Sequence, residues 1–325
     1  MAKPQARKIR LAPNKARWVD QFKAAQVKGA PLYLSVSIAS RYYGKLKPLI
    51  DQMHKETTAQ LVALFKHPSF AEDAADLKRE YERQAKPLIA AVTAGKCAAA
   101  LELERLPMVV TMDASIASQA RIITNKLTDK FTALFGSVAA PLATDTVQQT
   151  DENSASTLKG SLKDLSGGVA FKTDFVSEGV NDAITASVAS NVDLIKRIPE
   201  EYMSDITGAT MRSITLGNGL ADLQPYLTKK YEGTQRQAQL MCMDQTRKAY
   251  TSINTERMKS VGVNEFEWVH GGGSRHPREY HANVLNGNTY SLDDPPIIDP
   301  KTGERGLPGQ LPNCHCTMRP IVSFD

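Results

Sequence analysis

The segment Glu265-Phe-Glu-Trp-Val-His270 decides the fold class of the C-terminal part of this chain, because polar and apolar residues alternate along it. Alternation with a period of two is typical of a β-strand with one buried face. Arg319–Phe324 is a second candidate strand and Asn288–Leu292 a short third one, and the loops between them are rich in Gly, Pro, Asn and Asp. The sequence therefore predicts a small α+β unit with a few short strands.

Upstream of that segment, apolar residues recur every three or four positions, which is typical of amphipathic helices. One long helix is predicted from about Ser35 to Lys66 and ends before Pro68. Another is predicted from about Ala114 to Phe135, followed by a loop or hinge over Gly136–Asn153. The remaining predicted helices, interrupted at Gly or Pro, are Ala71–Gln84, Pro87–Leu106, Ser154–Leu165, Phe175–Arg197, Glu200–Leu216, Leu220–Tyr231 and Thr234–Lys259.

The predicted fold class is therefore mainly α, with an elongated helical body followed by a small C-terminal α+β module. We divide the chain into a basic N-terminal arm (1–34), a helical domain (35–233) and the C-terminal module (234–325). The module has few strands of its own, so we expect it to use the helix Thr234–Lys259 as a packing partner.

Composition limits the classes of function. The chain has 325 residues, of which 42% are hydrophobic and 6% aromatic, and its formal net charge is +5. That charge is too small to indicate a dedicated nucleic-acid binder. No stretch approaches the roughly 18 apolar residues of a membrane span. Four cysteines spread over this length do not indicate a disulfide framework, which favours a reducing compartment.

The first 19 residues carry six cations before the first acid, Asp20. Two interpretations remain open, a solvated arm and a contact with DNA or with an acidic protein surface. The six candidate contact residues are Lys3, Arg7, Lys8, Arg10, Lys15 and Arg17.

Half of the cysteines and four of the six histidines lie between His270 and Cys316. On an extended segment, the thiols of Cys314 and Cys316 face the same side. With His281 and either His276 or His315 they offer four nitrogen and sulfur ligands, the set that structural zinc prefers. The alternative is that the cysteines fill a small apolar niche and His281 hydrogen-bonds a loop, since C-x-C spacing is less usual for zinc than C-x2-C.

Two other groups of residues near the C-terminus suggest chemistry. Arg275 and Arg278, with nearby histidines and one of four acids, are the elements of an acid–base site for a nuclease or an ADP-ribosyltransferase-like enzyme. The candidate acids are Glu265, Glu267, Asp293 and Asp294. The alternative is that the Arg/His cluster anchors loops or contacts a partner. The segment Asp293–Asp299 lacks calcium-loop spacing, so we interpret it as a rigid turn.

Several motifs from Ala183 onward occur together in a characteristic order. They are Asn191-Val-Asp-Leu-Ile-Lys-Arg-Ile-Pro199, Gly217-Asn-Gly219, Asp244-Gln245 with Arg247 and Lys248, Phe266-Glu-Trp268, Pro277-Arg278, His281, Asp294-Pro-Pro296 and Pro312-Asn-Cys314-His-Cys316. This order resembles the phage Mu F-like minor head, or head morphogenesis, proteins of tailed bacteriophages. The chain departs from the family at His315, where arginine is more common, and at Met241-Cys-Met243, which replaces a common Ala-Arg pair.

The resemblance implies a minor capsid protein, a low-copy component near the portal vertex of the head. It implies a role in head assembly, DNA packaging or ejection, and location in the virion after assembly in the bacterial cytoplasm. The implied partners are the portal protein, the major capsid protein and, through the basic arm, packaged DNA. No membrane contact and no catalytic residue are expected. The alternative function is a head-associated enzyme that uses the C-terminal Arg/His cluster.

Overall fold

A computed structural model describes residues 27–66, 83, 85–90, 115–165, 173, 176–272 and 277–323. Most of these residues are helical, and short strands follow the last long helix, which confirms the predicted fold class. Within these ranges the long helices are α1 (Val36–Lys66), α2 (Ser115–Leu165), α3 (Glu178–Leu216) and α4 (Leu220–Ser260).

The short strands form two sheets. An antiparallel sheet has the order β1-β6-β2-β3, and β4 and β5 form a separate pair. A π-helix, Tyr280–Leu285, lies between β2 and β3 in the chain. The strands are β1 (Val27–Lys28), β2 (Glu265–Val269), β3 (Thr289–Ser291), β4 (Ile297–Asp299), β5 (Glu304–Arg305) and β6 (Thr317–Val322).

Helix α1 confirms the prediction from apolar spacing, because the residues that recur every three or four positions form its buried face. Leu46, Ile50 and Met53 are fully buried, as is Leu61 two turns later. The helix continues through Pro48 and ends at Lys66, as predicted from Pro68.

The predicted loop over Gly136–Asn153 is wrong, because α2 runs unbroken through it. Pro141 removes one backbone hydrogen bond and costs several kcal/mol in a helix interior. Pro141 and Ser137, whose carbonyl loses its partner, are both exposed, so water can satisfy that carbonyl. The opposite face is buried against the core, which favours the helix; its buried residues are Ala139, Leu142, Ala143, Thr146, Val147 and Thr150.

Two further predicted breaks are also wrong. The predicted break between Arg197 and Glu200 is absent, because Pro199 lies inside α3, between the buried residues Ile195 and Tyr202. Gly233 was expected between two helices, but α4 continues through it. In both cases tertiary burial of the flanking turns outweighs a local helix-breaking tendency. The predicted helices Ala71–Gln84 and Pro87–Leu106 lie mostly outside the described residues, within which residues 85–90 are helical.

The predicted strands are confirmed with small shifts in their ends. Strand β2 pairs with β6 through the register Trp268 with Met318, and with β3 through Phe266 with Tyr290. Strand β1 was not predicted: Val27 and Lys28 pair with Val322 and Ile321 at the edge of the sheet. Two residues are too few to show alternation, so the sequence carried no signal for this strand.

The chain divides into two compact units, each built from separate stretches. The first comprises Met1–Tyr43, Ala140–Asn191 and Gln239–Asp325, and the second Gly44–Ala139 and Val192–Ala238. The contiguous division at residues 34 and 233 remains a prediction. In the first unit one apolar core joins the sheet to Tyr250 and Met258 of α4 and to Leu158 and Leu162 of α2. Among the described residues, no helix combines the length and apolar character needed to cross a bilayer.

Candidate functional site

Three separate elements bring His270, His281, Cys314 and Cys316 together in the first unit. His270 follows the end of β2, His281 lies in the π-helix, and the two cysteines precede β6. His281, Cys314 and Cys316 are only 2%, 3% and 8% exposed. Their ligand atoms all lie within 4.8 Å of one another. The structure thus brings together three of the four residues of the predicted metal site, and the site itself stays a prediction.

The ring of His281 is oriented by a backbone contact. Its Nε2 lies 2.9 Å from the carbonyl oxygen of Ile298 in β4. Because a carbonyl only accepts hydrogen bonds, Nε2 carries the proton and Nδ1 is left to face the sulfurs. Nδ1 is 3.5 Å from Cys314 Sγ and 3.7 Å from Cys316 Sγ. The ring also packs edge-on against Trp268, with ring centroids 5.1 Å apart.

The two cysteines sit in a turn that directs both sulfurs inward. Asn313 adopts a positive φ of 56°, which Asn tolerates better than most residues. The Cys314 N–H then donates to the Leu311 carbonyl at 3.0 Å. The backbone N–H groups of Cys316 and Gly309 donate to Cys314 Sγ, and that of Gly271 donates to Cys316 Sγ. The sulfurs are thus surrounded by hydrogen-bond donors.

These donors make the sulfur pair anionic. The hydrogen bond from the Cys316 thiol, against the opposing effect of burial, lowers the pKa of Cys314 to about 4. The same hydrogen bond, reinforced by burial, raises the pKa of Cys316. Burial works to lower the pKa of His281, but its hydrogen bonds with Cys314 and Ile298, together with the charge of Cys314, outweigh burial and raise that pKa. The two sulfurs therefore share one proton beside an imidazole.

His270 lies at the edge of this cluster. Its Nδ1 is 3.5 Å from Cys316 Sγ, and its backbone N–H donates to Asn286 Oδ1 at 2.8 Å. The next residue, Gly271, passes so close to the Cys314–Cys316 segment that an added Cβ would lie 1.9 Å from the His315 carbonyl oxygen. Glycine at 271 is therefore required for close backbone approach.

A cavity of about 250 Å³ adjoins the cluster within the first unit. His270 and Cys316 lie on its wall, together with Arg247 and His315. Burial lowers the pKa of Arg247, despite the nearby Cys314 and Asp244. His315 contributes to the cavity, and it is not one of the three residues whose ligand atoms cluster.

The other predicted site residues fall into two groups. Arg278 is exposed and donates from Nη2 to the Pro312 carbonyl at 2.9 Å, which ties the π-helix end to the cysteine turn. His276 and Arg275 lie outside the described residues, as do all six cations of the arm, Lys3, Arg7, Lys8, Arg10, Lys15 and Arg17.

The four candidate acids do not converge on His281. Glu267 is buried in the sheet, where it pairs with Lys28 and Arg319. Glu265 accepts a hydrogen bond from Ser323. Asp293 and Asp294 pair with Lys259 and Arg305, respectively, at exposed positions. Each of these carboxylates is engaged by its own partner.

Sequence reasoning did not single out His270, Trp268, Ile298 or Gly309 as neighbours of the sulfurs. His270 directly follows an alternating strand, and a histidine at a strand end opposite a C-x-C segment is a signal that could have been used. The contacts of Ile298 and Gly309 are backbone contacts, for which side-chain identity carries no signal.

Comparison with known proteins agrees with the resemblance. Residues 204–319 match the model of a family described as phage Mu protein F like protein. An uncharacterized protein of Haemophilus influenzae is 25% identical over 146 residues, or 45% of this chain and 31% of that protein. The aligned region thus spans about a third of that relative's length. No solved structure matches the chain significantly.

Proposed function

We propose, from the phage Mu protein F-like character of residues 204–319, that this chain is a minor capsid protein of a tailed bacteriophage. In this proposal it is a low-copy component of the head near the portal vertex and acts in head assembly, DNA packaging or ejection. The family match is the observation that carries the proposal. The resemblance of the wider segment from Ala183 to head morphogenesis proteins is the basis for the proposed location and role.

The matched region corresponds to a packed substructure. It contains all of α4, strands β2 and β3 of the sheet, and the first half of β6. Tyr250 and Met258 of α4 share one buried core with Phe266 and Trp268 of β2. A match that covers a helix together with the sheet it packs on supports a shared module.

The placement of the acids favours a structural role over the head-associated enzyme. An acid–base site needs a carboxylate near the Arg/His cluster. Glu267 is instead held between Lys28 and Arg319, and Asp294 is paired with Arg305. The described cation of the cluster, Arg278, contacts the backbone of Pro312. These contacts stabilise the sheet and the loops beside it.

The copy number in purified virions tests the proposal. Quantitative mass spectrometry against the portal protein should give a reproducible ratio of a few copies per portal ring. Absence of the chain from mature particles would contradict its place as a virion component. A ratio that matched the major capsid protein would contradict the low-copy vertex position.

The DNA contact of the basic arm needs a separate test. Replacement of Lys3, Arg7, Lys8, Arg10, Lys15 and Arg17 by Gln should weaken DNA binding of the full chain. If all six cations contact phosphates, a plot of the logarithm of the DNA-binding constant against the logarithm of the salt concentration should have a slope of about −5. The reason is that counterion release scales with the number of contacts. A salt-insensitive interaction would contradict the DNA contact.

A matched control replaces six exposed cations of the long helices. It should leave the salt slope unchanged, since these positions lie outside the arm. The control residues are Lys55, Arg121, Lys126, Lys196, Arg197 and Lys229.

A further inference from the structure

We propose that His270, His281, Cys314 and Cys316 bind one zinc ion in tetrahedral coordination, as a structural site of the C-terminal module. The site would join the end of β2, the π-helix and the turn before β6. This inference does not depend on the role of the chain in the phage head, because it rests on the geometry of these four side chains alone.

The distances between ligand atoms are the first argument. Zinc–sulfur bonds of about 2.3 Å and zinc–nitrogen bonds of about 2.0 Å at a tetrahedral angle separate S and N by about 3.6 Å. His281 Nδ1 is 3.5 Å from Cys314 Sγ and 3.7 Å from Cys316 Sγ. His270 Nδ1 is 3.5 Å from Cys316 Sγ. Three edges of the tetrahedron thus already have the length that zinc requires.

The groups around the ligands are the second argument. Metal-bound histidines usually donate their other ring N–H to a carbonyl or carboxylate, which fixes the tautomer. His281 does this through its Nε2–H to the Ile298 carbonyl at 2.9 Å. Backbone N–H groups of Gly309, Cys316 and Gly271 point to the two sulfurs, as suits metal-bound thiolates. The structure therefore contains hydrogen-bond partners for the ligands as well as the ligands themselves.

Burial is the third argument. His281 and both cysteines are almost completely buried, and the Trp268 ring packs against the His281 ring. Two thiolates in this position need a compensating dication. Zinc with two thiolates and two neutral imidazoles gives a neutral site, and binding releases to solvent the proton that the two sulfurs share.

The fourth ligand is His270 in this proposal, where the sequence had suggested His276 or His315. His270 Nδ1 contacts Cys316 Sγ but lies outside the group of three whose ligand atoms are mutually within 4.8 Å. A rotation of this half-buried ring would complete the tetrahedron. Gly271 holds the His270 backbone against the cysteine segment, since any Cβ at 271 would overlap the His315 carbonyl. His315, between the two cysteines, is exposed.

A small module has reason to use a metal. Its strands are only two to six residues long. Metal–ligand bonds can replace part of a missing core in such units. Here the metal–ligand bonds would cross-link residues 270, 281 and 314–316, which come from three separate segments of the module.

Metal content of the full chain is the first test. The chain, supplied with Zn²⁺ and passed through gel filtration, should retain one zinc per molecule. Co²⁺ in place of zinc should give thiolate-to-cobalt charge-transfer absorption and the intense visible bands of a tetrahedral ion. Well under one zinc per chain, or Co²⁺ binding without charge transfer, would overturn the proposal.

Substitutions identify the ligands. Cys314→Ser and Cys316→Ser should each weaken zinc binding by more than about 100-fold, because loss of an outer partner alone costs about 10- to 100-fold. Cys242→Ala, which removes a fully buried thiol of α4, is the matched control and should keep full zinc content. If a serine variant does not fold, alkylation of the wild-type chain gives the answer. Zinc should protect two thiols, and equal alkylation rates with and without zinc would contradict the site.

Comparison of three histidine variants tests whether His270 is the fourth ligand. His270→Asn should weaken zinc binding by at least about tenfold and reduce the visible Co²⁺ absorption as water replaces the imidazole. His315→Asn and His276→Asn should leave both quantities unchanged. An unchanged Co²⁺ spectrum in His270→Asn, or a loss confined to His276→Asn, would remove His270 from the ligand set.

Discussion

At the residue scale, the sheet of the first unit carries one buried carboxylate whose environment is unusual for a strand interior. Glu267 lies in strand β2, inside the sheet. It accepts a hydrogen bond of 2.7 Å from Nη1 of Arg319 in β6 and forms an ion pair with Lys28 in β1. Its side chain is 8% exposed, whereas those of Arg319 and Lys28 are 32% and 47% exposed. Buried acids need such partners, because an unpaired buried charge is strongly unfavourable.

Replacement of Glu267 by Ala should lower the free energy of unfolding by about 2 kcal/mol. This is less than the 3–5 kcal/mol for a fully buried pair, because both cations can turn to solvent. Lys28→Ala is the matched control and should cost at most about 1 kcal/mol, as expected of an exposed ion pair. Urea unfolding of the variants measures both values, and equal losses would contradict the assigned burial.

Gly271 and Gly272 should respond differently to a single methyl group. Gly271→Ala places a Cβ 1.9 Å from the His315 carbonyl oxygen, whereas Gly272→Ala meets nothing within 4 Å. We expect Gly271→Ala to cost about 1–3 kcal/mol through overpacking. Gly272→Ala should change stability by less than about 0.5 kcal/mol. Thermal unfolding of the two variants gives the comparison, and a stable Gly271→Ala chain would show that the two segments do not touch.

At the element scale, the long helices are held in register by polar contacts as well as by apolar faces. In the second unit, Asp51 of α1 accepts hydrogen bonds from Tyr231 and Gln235 of α4, each at 2.8 Å. It also pairs with Lys47 at 2.6 Å within its own helix. In the first unit, the hydroxyl of the buried Tyr42 donates to Asn191 Oδ1 at 2.9 Å. Such bonds fix which turns face each other.

The contacts of Asp51 predict a pH dependence. Burial works to raise the pKa of Asp51, but the bonds from Lys47, Tyr231 and Gln235 outweigh it and lower the pKa below 3.8. A lowered pKa in the folded state adds stability above the unfolded value, and this is lost as the pH falls below about 3.8. Asp51→Asn should therefore be less stable than wild type at pH 7, with a smaller gap at pH 3. An equal gap at both pH values in urea unfolding would contradict this.

The continuity of α2 through the expected loop also has a test. An added Cβ at Gly136 or Gly160 meets nothing within 4 Å, and both residues lie inside the helix. Gly136→Ala should therefore raise the free energy of unfolding by about 0.5–1 kcal/mol, and Gly160→Ala should do the same, because Gly is entropically costly in a helix. If residues 136–153 formed a loop, Gly136→Ala would give no gain while Gly160→Ala still did.

At the scale of the whole molecule, each compact unit draws its residues from distant parts of the chain. In the first unit, Gly29 and Leu32 donate backbone hydrogen bonds to Pro320 and Met318, at 2.9 and 2.8 Å. Leu32 is fully buried in the same core as Trp268 and Met318. The C-terminal end of the predicted arm, residues 27–32, is thus joined to the C-terminal sheet.

Metal removal should affect one unit and leave the other unchanged. If zinc is bound as proposed, chelation should increase amide hydrogen exchange in residues 265–272 and 314–322 of the first unit. Residues 192–216 of α3 in the second unit serve as the internal control and should keep their protection. Uniform loss of protection over both units would indicate global unfolding, and no change anywhere would contradict a structural metal.

The sequence by itself determined the helix-rich class and the change to strands at Glu265, and it indicated that the thiols of Cys314 and Cys316 face the same side. These features depend on local periodicity, which can be read from a short stretch of the sequence. Only the tertiary structure decided that α2 passes through Pro141, that β1 pairs with β6, and that His270 lies beside Cys316. The reason is physical: a local cost at a proline or glycine is offset by burial against residues far along the chain. Pairing and ligand geometry depend on those same long-range contacts.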